Sequence, residues 1–263
     1  MSTDAIAACF NKPERVPEQF IPDHVFLYVT AGQVTGYDGN KVYTLNAGDY
    51  CIVRKNRLVK YQSQKGATAF ERVFFCFDEA FLREFGQKHH ISGGRFQSPD
   101  TFVRVDPTEM IPDFIRSLST YTDGSGKISE AFETLKYEEL LLILLQNQPE
   151  LAHLLFDFAP PQKINLEEFM NRNYKFNVRM ERFAQLTGRS LSAFKRDFKT
   201  IFNDTPASWL IKKRLKDAYQ LIKTENKKAT EIYLDLGFED LSHFSRAFKQ
   251  HFGVRPTALN NII

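Results

Sequence analysis

Residues 190–209 read SLSAFKRDFKTIFNDTPASW, and fifty positions further on residues 240–259 read DLSHFSRAFKQHFGVRPTAL. Eight of the twenty aligned pairs are identical, among them Phe194/Phe244, Arg196/Arg246, Phe198/Phe248, Lys199/Lys249 and Phe202/Phe252. Upstream, Glu181/Glu231 and Leu186/Leu236 keep the same register. In each copy the apolar residues recur at helical spacing: Leu191, Phe194, Phe198 and Phe202, then Leu241, Phe244, Phe248 and Phe252. The opposite faces carry Ser192, Lys195, Arg196 and Lys199 in the first copy, and Ser242, His243, Ser245, Arg246 and Lys249 in the second. Boundary signals agree with this. Gly188 and Gly237 suit the stop of a preceding short helix (Glu181–Thr187 in the first copy), Ser190 and Asp240 suit N-caps, Asn203 and Gly253 suit stops, and Pro206 and Pro256 suit first helical positions. A short helix, a tight turn and a second helix with a basic outer face form a helix-turn-helix, whose second helix fits the major groove of duplex DNA.

Between the copies, Ala207–Thr224 reads as one helix with Trp209, Leu210, Leu215, Ala218, Leu221 and Ile222 as its buried stripe. Taken from Pro206 it is roughly 28 Å long, against about 34 Å between successive major grooves on one side of a duplex. Its Lys212-Lys213-Arg214-x-Lys216 run is expected to lie along phosphates, with Lys212 and Lys213 as backbone contacts. Basic helix faces are often simply solvated; duplication at a fixed offset and a linker of fitting length favour DNA here. The phenylalanines are core residues rather than stacking platforms.

Charge divides the chain in the same place. From Gln162 onward there are 19 Lys and Arg against 11 Asp and Glu, net +8, and residues 1–161 carry net −5, within an overall +3. The basic block suggests a polyanion partner. N-terminal to it, His24–Thr30, Lys41–Leu45, Tyr50–Val53, Leu58–Gln62 and Ala69–Phe77 read as short strands separated by turn sequences such as Asp38-Gly39-Asn40. That spacing predicts an antiparallel β-barrel or sandwich. Glu109–Tyr121 and Ser129–Gln146 read as helices, and the second has more apolar surface than one face needs, which points to a homodimer contact. Asp157–Gln162 contains Pro160-Pro161 and marks a boundary. The expected organisation is α+β: residues 1–105 a β-barrel, 106–157 a helical dimerisation or linking segment, and 158–263 an all-α domain with two helix-turn-helix motifs joined by a long helix.

Residues 163–259 resemble the DNA-binding domain of the AraC/XylS family of bacterial transcription activators. The resemblance rests on Ile232-Tyr233-Leu234-x-x-Gly237-Phe238-Glu239-Asp240-x-Ser242-x-Phe244-Ser245-Arg246-x-Phe248-Lys249-x-x-Phe252-Gly253-x-x-Pro256. Leu259-Asn260 and Asn203 depart from the family pattern, at helix ends. By this resemblance Ser192, Lys195 and Arg196, and Ser242, His243 and Arg246, align with base-facing positions. It also implies activation rather than repression, and RNA polymerase as a further partner. The N-terminal half is similar in outline to the family's cupin-like sensor barrel, through turns such as Gly48-Asp49.

Other chemistry is not written here. No catalytic triad, phosphate-cradling loop or GxSxG elbow is present, and His24-Val25-Phe26 and His89-His90 lack the metal-binding pattern of a catalytic cupin, so neither a cofactor nor a metal is expected. Cys9, Cys51 and Cys76 have no ligand spacing and read as reduced thiols, the last two in strands. The first residues lack a basic and then apolar leader, no apolar run reaches the roughly 20 residues of a membrane span, and a cytoplasmic location is expected. Three alternatives for the N-terminal half stay open: a small-molecule effector, control by a regulatory protein, or a cupin enzyme fused to a DNA-binding module.

Overall fold

A computed structural model describes residues 19–62, 71–94, 96, 98–123 and 127–261; Cys9 and the first two residues of the expected strand Ala69–Phe77 lie outside these. The chain divides into two compact units, Met1–Ala159 and Pro160–Ile263.

Among the described residues the first unit has nine strands, all paired antiparallel: β1 (Phe20–Ile21), β2 (His24–Ala31), β3 (Gln33–Tyr37), β4 (Val42–Asn46), β5 (Tyr50–Val53), β6 (Arg57–Leu58), β7 (Lys60–Gln62), β8 (Glu71–Phe77) and β9 (Phe102–Arg104). They form a four-stranded sheet β8-β2-β5-β9, a three-stranded sheet β4-β3-β7 and the pair β1-β6. Because side chains alternate across a strand, β2 serves two cores. Leu27 and Val29 join Cys51, Val53, Val34, Leu45 and Phe102 between the two larger sheets. Phe26, with Ile52, Val73, Phe75 and Phe77, faces the helices α1 (Glu79–His89), α2 (Met110–Ser117), α3 (Glu130–Asn147) and α4 (Leu151–Leu155). Burial on both faces is why His24–Thr30 reads as an unbroken apolar run.

The expected closed barrel is not what these residues form. Closure needs a continuous ring of ladder hydrogen bonds, whereas the described strands fall into three separate sheets, with β4 and β7 as edges beside β3. The result is a sandwich, filled at its centre by Phe102. Its ring stacks on Tyr43 at 4.6 Å and meets Tyr61 edge-on at 6.4 Å. Gly36 makes room for it: a Cβ there would stand 2.6 Å from the ring. The expected helix Glu109–Tyr121 is α2 followed by a 3-10 turn over Leu118–Thr120. Sequence periodicity did not single out α1, which Asp78 caps by accepting the Phe81 N–H at 2.7 Å.

The second unit is helical: α5 (Leu166–Asn173), α6 (Met180–Leu186), α7 (Leu191–Phe202), α8 (Pro206–Glu225), α9 (Ala229–Ile232) and α10 (Leu241–Phe252), then a 3-10 segment over Pro256–Asn261. The anticipated caps Ser190 and Asp240 form, and Thr205 caps α8 in the same way. Ser190 accepts the Ala193 N–H at 3.3 Å, Thr205 the Ser208 N–H at 3.3 Å and Asp240 the His243 N–H at 2.6 Å. Asn203 and Gly253 close α7 and α10 with φ of 51° and 76°. The two copies are not equal upstream. Where the first has the seven-residue α6, the second has only the four-residue α9, continued as turns by bonds from Leu236 N–H to Ile232 O and Phe238 N–H to Tyr233 O.

Candidate nucleic-acid interface

Within α7, Phe194 and Phe198 are fully buried, and Ser192, Lys195, Arg196 and Lys199 are exposed. In α10 the buried pair is Phe244 and Phe248; Ser242, His243, Arg246 and Lys249 are exposed and Ser245 is half-buried. Ring contacts hold each helix to the fold. Phe198 packs on Phe202 at 4.3 Å and on Trp209 of α8 at 5.6 Å, and Phe248 packs on Phe252 at 4.7 Å, itself 4.9 Å from Tyr219 of α8. Each outer face is thereby fixed relative to α8, whose 20 residues span about 30 Å.

The outer faces are not equally unencumbered. Asp197 of α7 gathers three cations, Arg189 Nε from the preceding turn at 3.1 Å, Arg196 Nη2 of α7 at 3.3 Å and Lys163 Nζ from ahead of α5 at 3.6 Å. The hydrogen bond from Arg189, foremost, keeps its carboxyl below the usual range. Arg196 is therefore already in contact with an acid, whereas His243 rests edge-on against Phe238 at 5.6 Å.

On α8 the basic run separates into different roles. Lys212 is exposed and pairs with Asp204 at 2.7 Å; that hydrogen bond, before other causes, lowers the Asp204 pKa. Lys213 is half-buried, donates to Asn171 Oδ1 at 3.2 Å and lies over the Tyr174 and Trp209 rings at 5.5 and 5.7 Å. Lys212, Lys213 and Lys216, with Trp209, Phe252 and His251, line a recess of about 400 Å³. Arg214 departs from the expectation of a phosphate contact. It is buried and donates Nε to Tyr174 O at 2.7 Å, Nη1 to Gly237 O at 2.7 Å and Nη2 to Phe176 O at 2.8 Å. Burial lowers its pKa to about 10. Helical phase explains the difference: Arg214 shares the inward stripe with Leu210, Leu215 and Ala218.

Among the described residues no group of three or more His, Cys, Asp or Glu could hold a metal, and no helix is long and apolar enough to cross a membrane. Among the described residues Cys51 and Cys76 form no disulfide. Burial pushes the pKa of the Cys51 thiol up to about 12, which makes it a packing group rather than a nucleophile.

Residues 183–261 match the family model of a helix-turn-helix domain, and residues 24–154 that of the ExsA N-terminal regulatory domain. Relatives similar along most of the chain include the thermoregulatory protein LcrF of Yersinia pestis, 23% identical over 86% of this chain and 84% of its own length. The HTH-type transcriptional regulator ExsA of Pseudomonas aeruginosa is 26% identical over 86% of this chain and 82% of its own. Among solved structures, an apo ToxT variant from Vibrio cholerae gives a TM-score of 0.40 at 16% identity, covering 97% of this chain and 92% of that one. The chain belongs to the AraC/XylS family of bacterial transcription regulators, with an N-terminal regulatory domain and a C-terminal helix-turn-helix DNA-binding domain. Its relatives are regulators rather than enzymes, and the fused cupin enzyme falls away.

Proposed function

We propose that this regulator is an activator that reads an operator through two helix-turn-helix motifs, with α7 and α10 in successive major grooves of one face of the duplex. The observation that carries this is the pair of exposed polar-basic faces fixed by buried phenylalanines to a single helix, α8, whose length of about 30 Å is close to the groove repeat of about 34 Å. Ser192, Lys195, Arg196, Ser242, His243 and Arg246 face bases in this reading, with Ser245 beside them on the DNA-facing side; Lys199, Lys249, Lys212 and Lys213 serve the phosphates that supply most of the affinity. Lys195 stands opposite Ser245, and Ala193 opposite His243, so the two helices read different half-sites and the operator of one chain is asymmetric. Hydroxyl-radical footprinting tests this: two protected tracts one helical turn apart on one face are expected, and a single tract would overturn the two-groove reading.

The division into a regulatory unit 1–105, a helical segment from residue 106 and a DNA-binding unit ending at residue 263 belongs to the same proposal, the last two meeting between Ala159 and Pro160, where the compact units divide. On α3, Phe132, Leu135 and Leu142 are 42%, 61% and 44% exposed, and a second copy of this chain is the partner proposed for them. For the regulatory unit, the aromatic filling around Phe102 favours control through the surface by a protein partner over a small-molecule effector within the sandwich. Activation implies RNA polymerase as the further partner, acting at bacterial DNA in the cytoplasm. Native mass spectrometry of the chain purified from its host distinguishes the two modes of control: a retained small molecule would establish the effector reading instead.

A further inference from the structure

The last residues of the first unit, Asp157-Phe158-Ala159, leave its core at Phe156, which is buried among the helices. The Phe158 ring does not trail into solvent. It is half-buried between two cations from different elements, the Arg83 guanidinium of α1 at 4.1 Å and Lys55 Nζ of the β5–β6 loop at 5.1 Å from its centroid. Both cations are positioned by one acid: Arg83 donates Nε and Nη2 to Glu79 Oε1 at 2.9 and 2.6 Å, and Lys55 Nζ is 4.0 Å from Glu79 Oε2. Phe156 meets Phe158 edge-on at 6.3 Å. Asp157 accepts the Ala159 N–H at 3.0 Å, which turns the backbone, and its charge acts on Arg54 and Lys55, where it opposes the effect of burial on both.

A second anchor lies just beyond. In the other unit, Gln162 and Lys163 pack against Gly188, where a Cβ would come within 2.5–2.6 Å of their backbone. Ile164 N–H donates to Thr187 O at 3.4 Å and Lys163 pairs with Asp197 at 3.6 Å. Only Ala159, Pro160 and Pro161 separate the two anchors, and a Pro-Pro pair is stiff and extended. With Phe158 released, the connection would run from Asp157 to Pro161, five residues in place of three.

We infer that the Arg83–Lys55 clamp, with Arg54 beside it, is a docking site for an acidic–aromatic segment: the chain's own Asp157-Phe158 occupies it at rest, and a partner protein presenting a segment of the same chemistry displaces it and lengthens the connection to the DNA-binding unit. The resident segment defines the chemistry, an aromatic ring between two cations with a carboxylate next to it. Cation–π contacts at partly exposed sites are individually weak, and among the described residues no hydrogen bond holds Phe158, so a partner in excess can compete by mass action. This goes beyond the DNA-reading role, and its test contains no DNA, so the two stand or fall separately.

The probe is a fluorescent peptide copying residues 156–161, titrated into the full chain. Phe158→Ala, which empties the clamp, is expected to bind it saturably and at least tenfold more tightly than the unsubstituted chain. Adding Arg83→Gln and Lys55→Gln should abolish that binding, as should alanine at the peptide positions of Asp157 and Phe158. A folded Phe158→Ala chain that ignores the peptide, or binds it equally well without Arg83 and Lys55, overturns the inference. Should Phe158→Ala not fold, Arg83→Gln and Lys55→Gln in the otherwise unchanged chain are read by limited chymotrypsin cleavage after Phe158. A several-fold faster cut supports the clamp, and an unchanged rate overturns it.

Discussion

Arg214 donates Nη1 to the carbonyl of Gly237 at 2.7 Å, joining the middle of α8 to the turn that precedes α10. Its Nε and Nη2 donate to the carbonyls of Tyr174 and Phe176, in the segment between α5 and α6. One buried guanidinium therefore ties the approach to α6 and α7 to the approach to α10. No carboxylate appears among these partners; three carbonyl dipoles replace water. The arrangement requires glycine at 237, whose φ is +85° and whose Cβ would stand 2.6 Å from Lys175 O and 2.9 Å from the Arg214 Cζ.

Removing that hub should destabilise the DNA-binding unit without touching an outer face. Arg214→Ala leaves three carbonyls without their donor and should cost about 2–4 kcal/mol. Gly237→Ala should cost about 1–3 kcal/mol through strain. Because both act on one contact, the double variant should lose less than the sum. Urea unfolding of the four chains checks this; strict additivity would mean that the two residues act independently.

Arg246 and Lys212 should separate on DNA. If Arg246 reads a base, Arg246→Ala should cost about 1–3 kcal/mol on the operator and little on a scrambled duplex. Lys212→Ala should weaken both duplexes alike and flatten the salt dependence. The change in slope should be less than one full charge, because Lys212 already pairs with Asp204. Titrations of both variants on both duplexes over a range of salt give the answer. Equal losses for Arg246→Ala on the two duplexes would make it a phosphate contact.

How much of this could be read from the chain alone follows from the range of the interactions involved. The faces of α7 and α10, their caps and their stops are set by neighbours within a few residues, so Phe194 and Phe198 against Lys195 and Arg196 were legible as sequence. Arg214 was not. In the chain it sits in a basic run, and only contacts with segments forty and twenty-three residues away make it a buried hub. α1 had a local signal, Asp78 before Leu82 and Phe85, that strand spacing on both sides overshadowed. The open sandwich was hidden for the opposite reason: short strands with tight turns are common to barrels and sandwiches, and the choice lies in long-range pairing such as β5 with β9.

The exposed stripe on α3 should control association. Leu135→Asp removes its most exposed apolar member and leaves the buried Leu140, Leu141 and Leu144 in place, so the helix should stay folded. Sedimentation equilibrium should show a dimer for the unsubstituted chain and a dissociation constant raised at least tenfold for Leu135→Asp. A unsubstituted chain that stays monomeric at all concentrations removes the dimer from the proposal.

His24 should make the regulatory unit acid-sensitive. It is 2% exposed; Nδ1 accepts the Lys55 N–H at 3.4 Å, and Nε2 finds no partner among the described residues. Burial first, then the charges of Lys55, Arg54 and Arg57, lower its pKa to about 3. The folded state thus holds His24 neutral, while the unfolded chain takes up a proton near the ordinary value of about 6.5. Between those two values the unfolded state binds more protons, so stability rises with pH and is lost as pH falls from about 6.5 towards 3. The loss attributable to this residue should reach a few kcal/mol at about 1.4 kcal/mol per pH unit. His24→Gln, which cannot take up that proton, should flatten this limb of the stability–pH curve for the regulatory unit while lowering its plateau. Thermal unfolding of both chains from pH 7 to pH 4 decides it: parallel curves would assign the acid sensitivity to other groups.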